Sequence, residues 1–211
     1  MSLLYYSRIR FIQLLAPLLT ASAPPAHVIS VYAAGLETSG KLFPSDLSLR
    51  KPGHYSLANC RAHVVHMKTM MFEHFAKQYE GKMALVHVYP GVVVSPSFYS
   101  ATHPWWVKLI WWLLKVPVKM FVATPAEEAG QRTLLLASSR YPAKASSSEG
   151  TVDAASATDG TEGGGAYAVK LNGETCDVEA SYRQLRENRV DRPVLEHTRD
   201  EIGKICPLKD A

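Results

Sequence analysis

Three features of the chain together predict an α/β fold with parallel strands. Two short, mostly apolar runs of strand type occupy residues 27–33 and 84–89, and such runs suit strands buried on both faces. A helix-like run from Leu57 to Tyr79 separates them. Strands joined by a helix longer than a dozen residues pair in parallel. The second run stops at Pro90-Gly91, where proline ends a ladder and glycine lets the backbone turn close to a ligand.

The other elements follow in order. Residues 3–20 read as one amphipathic helix with Pro17 near its end. A second reading of this start is a leader peptide. Arg8 and Arg10 precede the apolar run Phe11 to Leu19, Ala21-Ser22-Ala23 has the small-x-small form of a cleavage site, and no acidic residue precedes Glu37. The helix reading is preferred, because the run leads directly into the first strand. Residues 36–53 form a polar loop, longer than most connections. The helix 125–136 starts well: Thr124 can cap, Pro125 takes the first helical position, and Glu127 and Glu128 lie near the positive end. Residues 143–165 have the Ser/Ala/Gly/Asp composition of a flexible linker. Residues 165–174 alternate and carry Asn172-Gly173, a hairpin signal. Short helices at 178–188 and 193–205 close the chain. The expected division is a core of 1–142, a linker of 143–165, and a hairpin with short helices at 166–211.

A chain of 211 residues with 47% hydrophobic content can build one core. Its net charge of +4 is small and scattered, which argues against a nucleic-acid partner. Three cysteines, Cys60, Cys176 and Cys206, lack metal or disulfide spacing and point to a reducing, cytoplasmic setting. Cys60, His63 and His66 recur every three residues. They read as a solvated or interface-facing stripe rather than a metal site, since structural zinc usually takes four ligands in tighter pairs. His197 reads as a surface or capping residue. No metal is expected.

His54-Tyr55-Ser56-Leu57-Ala58-Asn59 stands between the first strand and the long helix, and Tyr89-Pro90-Gly91-Val92-Val93-Val94-Ser95 follows the second strand. This order resembles the second half of a short-chain dehydrogenase/reductase, the Rossmann-type family that moves hydride between NAD(P) and a carbonyl or alcohol. Tyr5-Tyr6-Ser7-Arg8, Ser30-Val31-Tyr32-Ala33-Ala34-Gly35 and Leu195-Glu196-His197-Thr198 add a likeness to a divergent filamentous-fungal branch with roles in secondary metabolism. The resemblance implies a partial Rossmann-like half-domain. It implies Tyr55 as the catalytic acid/base, Asn59 at the cofactor ribose, and Pro90, Gly91, Val93 and Ser95 around the nicotinamide. The substrate would be a small hydrophobic carbonyl or alcohol metabolite, and the first helix would join a homo-oligomer.

Three departures accompany it. In the family, a Lys one helical turn beyond the Tyr lowers the phenol's pKa from its free value near ~10; here that place holds Asn59. Losing a cation so close to a phenolate forfeits a few kcal/mol at an effective dielectric near ~20. The family's substrate-steadying Ser falls on Tyr32 or Ala33. No Gly-x-Gly-x-x-Gly turn occurs, so a truncated reductase with weak NAD(P) binding is expected. The alternative is a non-catalytic remnant that binds a hydrophobic metabolite, a paralogous reductase or a membrane.

Residues 103–121 carry Trp105, Trp106, Trp111 and Trp112 among lysines. Three readings stand open: a substrate lid packed on the core, a helix in a membrane interface, or an oligomer surface.

Overall fold

Residues 1–94, 104–121, 123–145 and 153–205 are described by the computed structural model. A π-helical turn, Ser2–Tyr6, leads into α1 (Ser7–Thr20). Next come β1 (Ala26–Val31), a 3₁₀ turn (Glu37–Ser39), α2 (Leu57–Gln78), β2 (Met83–Val88) and β3 (Val92–Val93). They are followed by α3 (Trp105–Phe121), β4 (Ala123–Thr124), α4 (Ala126–Leu135), β5 (Ala166–Val169), α5 (Glu179–Glu187) and α6 (Asp191–Ile205).

β1, β2 and β5 form one parallel sheet with β2 in the middle. Ala26 pairs with Met83 and Val31 with Val88; Leu85 pairs with Ala166 and Val88 with Val169. Every β2 residue is buried, and the strand period of two divides them. Met83 and Leu85, with Ala166 and Ala168 of β5, join a core containing α1, α2 and α6. Ala84, Val86 and Val88, with Tyr167 and Val169, face a second core built from Leu136, Tyr141, Ala143, Ala155 and Ala157. The sheet is therefore covered on both faces, as the apolar runs predicted.

The expected turn at Leu171-Asn172-Gly173 forms, with Gly173 N–H donating to Lys170 O and Val169 bridging Thr175. Its first arm is β5 itself, so the segment that follows residue 165 completes the main sheet rather than standing beside it. The linker reading of 143–165 needs correction over residues 153–165. Ala155, Ala157 and Thr158 are buried, and the Thr158 hydroxyl donates to Glu73 of α2 at 2.7 Å. Small side chains let this stretch lie flat on the sheet, so a composition typical of disorder here serves close approach. Residues 146–152 lie outside the described part.

Arg186 of α5 seals this region. It donates twice to the Glu73 carboxylate, at 2.7 and 3.2 Å, and once to Thr158 O at 2.8 Å. At the N-terminus, the Tyr5 hydroxyl meets Thr198 Oγ1 of α6 at 2.5 Å, and the Tyr6 hydroxyl meets His197 Nε2 at 2.8 Å. His197, read as a surface residue, is half-buried and ties α6 to the start of the chain. Two grooves flank α1: one of about 500 Å³ along β1, and one of about 290 Å³ toward Ile202 and Ile205.

Arg186→Ala leaves the Glu73 carboxylate, only 11% exposed, without its cation, and should destabilise the fold by ~2–4 kcal/mol in urea unfolding. Replacing both partners together, Glu73→Gln with Arg186→Met, should cost less than that single change. Equal losses would mean that the ion pair is not what holds 153–165.

Candidate active site

β1 and β2 run in parallel, so the chain leaves both at one edge of the sheet, and α2 starts beside that edge before running back. The loop 32–56 and the turn 89–94 therefore share the carboxyl ends of the strands, where open α/β sheets place their ligands. Gly35 turns the chain away from β1 at φ +81°. A Cβ there would lie 2.8 Å from Cys176 Sγ, so backbone sign and space both require glycine.

Asp46 organises the long loop. Its carboxylate accepts from Arg50 N–H at 3.0 Å, Lys51 N–H at 2.9 Å and His54 Nδ1 at 2.8 Å. Burial works against the charged form, but these donors outweigh it and hold the carboxyl below the usual range. The His54 ring also stacks on Phe43, with centroids 4.0 Å apart and planes 6° from parallel. Tyr55 follows directly and is 65% exposed. Ser56 is extended, at φ −150° and ψ 162°, and caps α2 by accepting from Asn59 N–H at 3.0 Å. Tyr55 thus precedes the helix and does not share a helix face with Asn59, contrary to the reading from their four-residue spacing.

The Asn59 amide is a strut. Its Oδ1 accepts from Lys41 N–H at 2.9 Å and its Nδ2 donates to His54 O at 2.9 Å. Beside it, Gly40 presses on the first turn of α2: an added Cβ would sit 2.4 Å from Ala58 O and 2.7 Å from Asn59 N.

Pro90 and Gly91 end the β2 side as half-buried residues. Gly91 has φ +73°, and its missing Cβ leaves room for the Leu171 side chain. Val93 lies in β3 and pairs with Thr124 of β4, parallel to it. Ser95 lies outside the described residues. The excursion between β3 and β4 carries α3, in which Trp105, Trp106 and Trp112 are exposed and Trp111 is half-buried. The described residues thus place Tyr55, Asn59, Pro90, Gly91 and Val93 along one sheet edge.

A buried cluster at the same edge escaped the sequence reading. Lys68 of α2 is fully buried, and its Nζ lies 5.0 Å from the centre of the Tyr32 ring. Burial, and then the Arg8 guanidinium, lower the ammonium from the usual 10.5 to about 7. Tyr32 stacks on His87 of β2. His87 Nε2 accepts from Ala33 N–H at 3.2 Å, which puts the proton on Nδ1. Burial, then the charges of Lys68 and Arg8, hold His87 well below the usual imidazole range. A lysine inside a helix of mixed polarity gave no sign of this burial.

The solvated-stripe reading of Cys60, His63 and His66 also falls, since all three are buried. His63 Nε2 accepts from Phe43 N–H at 2.9 Å, and His66 Nδ1 bonds Ala62 O at 2.8 Å. Each imidazole serves the backbone. No cluster of three metal-ligating side chains occurs among the described residues.

The chain aligns with a short-chain dehydrogenase/reductase of Stachybotrys chartarum, 35% identical over 214 residues, covering 96% of this chain and 58% of the relative. The chain is similar to this short-chain dehydrogenase/reductase over nearly its whole length. An oxidoreductase of Emericella nidulans is 34% identical over 207 residues, covering 93% of this chain and 59% of its own length. An NmrA-like family domain-containing oxidoreductase of an Aspergillus species is 31% identical, covering 94% and 55% respectively. The chain thus spans somewhat under three fifths of these curated relatives. No family model matches it.

Two substitutions probe the scaffold of this chain. Asn59→Lys breaks both strut bonds and should lower stability by ~1–3 kcal/mol in thermal melts; an unchanged midpoint would refute the strut. For Lys68, the folded value near 7 lies below the unfolded 10.5. Between these values the unfolded chain binds more protons, so the cost of burial is full below pH 7 and is relieved as pH rises toward 10.5. Lys68→Met should stabilise the protein at neutral pH by ~1–3 kcal/mol and flatten that rise. A parallel pH profile in the variant would place the charge elsewhere.

Proposed function

We propose that these residues carry the acid/base and nicotinamide side of an NAD(P)-linked oxidoreductase acting on a hydrophobic carbonyl or alcohol of fungal secondary metabolism. The observation that carries the reading is the alignment with named oxidoreductases over more than nine tenths of the chain. Bound NAD(P)H would supply the hydride to the carbonyl carbon. Tyr55, open to solvent at the sheet's carboxyl edge, gives its hydroxyl proton to the oxygen that gains charge, and solvent reprotonates it. Pro90, Gly91 and Val93 hold the carboxamide, with Ser95 as the hydroxyl that the resemblance assigns to it. Asn59 fits its ribose role less well, because both amide atoms already bond the protein. The sequence offers no glycine-rich helix start for the pyrophosphate.

That commitment of Asn59 favours a second reading, a non-catalytic protein that binds a hydrophobic metabolite or a paralogous reductase.

Titrating the protein with NADPH and following nicotinamide fluorescence should show no saturation below millimolar. Carbonyl reduction at millimolar NADPH, read by NADPH consumption over a panel of apolar ketones, should fall at least ~100-fold in Tyr55→Phe. Turnover indifferent to Tyr55→Phe would overturn the assignment, and ketone binding without any turnover would establish the second reading.

A further inference from the structure

We infer that α3 is a membrane-surface helix that docks on anionic lipid. The inference does not rest on the oxidoreductase reading, and its test requires no turnover.

At ~100° per residue, Lys108 and Lys115 fall within ~20° of each other, with Trp111 and Trp112 about 40° to either side. Lys119 follows Lys115 by one turn in the sequence, and residues 104–121 contain no Asp or Glu. The rest of the circumference is apolar. Were α3 a lid packed on the core, this broad arc would face the protein. Instead Leu109, Leu113, Trp106, Met120 and Phe121 are 48–76% exposed. The half-buried positions are Val107, Trp111, Lys115 and Val118, on the side that includes one lysine. The helix turns its most apolar side away from its own protein, and its main contact is with β4, which follows it.

Charge and aromatic placement decide the occupant. An exposed apolar arc bordered by lysines, with Trp105, Trp111 and Trp112 beside those lysines and Trp106 on the arc itself, suits a headgroup layer: indoles favour the polar–apolar border and the lysine stems reach out to lipid phosphates. A protein partner would more often gather its tryptophans at the centre of the contact, whereas three of the four here lie beside the lysines. A second copy would bring the same lysines and no acidic residue of its own α3 to meet them.

Depth is limited as well. Pro117 cannot bond the Leu113 carbonyl, and a carbonyl freed on the apolar side needs water or headgroups nearby. No described helix is long and apolar enough to cross a membrane. The 17 residues of α3 make a rod of about 25 Å, lying in the plane of the interface.

Sedimentation with vesicles tests the inference on the 211-residue chain. It should pellet with phosphatidylcholine–phosphatidylserine vesicles and much less with phosphatidylcholine alone. Lys108→Gln with Lys115→Gln should weaken partitioning onto the anionic vesicles about 30-fold, each lysine counting for ~1 kcal/mol near such a surface. Trp106→Ala with Trp112→Ala should abolish pelleting; both side chains point outward, so circular dichroism and the melting midpoint should stay unchanged. Equal pelleting with both lipids, insensitive to the lysine pair, would overturn the anionic assignment. Failure to pellet with either vesicle would overturn the inference outright. A concentration-dependent dimer that Trp106→Asp dissociates, with no vesicle binding, would give the surface to a second copy instead.

Discussion

Burial of α2 around most of its circumference is the constraint that shapes the rest of the molecule. It lies against β2 and β5 on one side and against α6 and the loop after β1 on another. From Ala62 to Phe72 every residue of the helix is buried, so each polar side chain there must bond the protein or give up its charge. His63 holds the loop at Phe43, Glu73 holds α5 and the 153–165 stretch through Arg186, and Asn59 holds Lys41 and His54. The polar residues of α2 are the fastenings by which distant segments are registered on the sheet. Lys68 stands apart: among the described residues no acceptor meets its Nζ, and it rests instead over the Tyr32 ring.

What the sequence revealed, and what it hid, follows from the range over which each signal acts. The β1–α2–β2 unit is local, and its apolar runs, helix length and Pro90-Gly91 stop are all carried by neighbouring residues. The place of β5 in the sheet is a long-range pairing, and the Asn172-Gly173 turn signal speaks only of the strand's exit. Polar residues on a helix ordinarily imply a solvated face, so Cys60, His63 and His66 misled, and Lys68 passed unread, until the packing around them was visible. Residues 153–165 misled in the opposite sense, because alanine, threonine and glycine serve equally for loose chain and for close contact with a sheet.

The candidate site divides in the same way. Chain order brought Tyr55 and Gly91 to one edge, since parallel strands joined by a helix must end together. The relation of Tyr55 to Asn59 was not readable, because it turns on the extended conformation of Ser56. The family keeps a cation beside its tyrosine; here the corresponding side chain ties two loop backbones together. The nearest buried ammonium of α2 lies nine residues on, over a different tyrosine.

The extended Ser56 has a further consequence. A side chain carried on a helix is aimed before its ligand arrives, because the turns beneath it are already fixed. Tyr55 is carried instead by a loop whose shape is gathered on the Asp46 carboxylate, and its ring stands in solvent with several orientations open to it. Settling that ring against a ligand costs about 0.5–1.5 kcal/mol of rotamer freedom, and any slack in the loop adds to it. For a ligand bound as proposed above, selectivity would then be partly entropic: a large, flat ligand that confines the ring by contact recovers the cost through burial, and a small one does not.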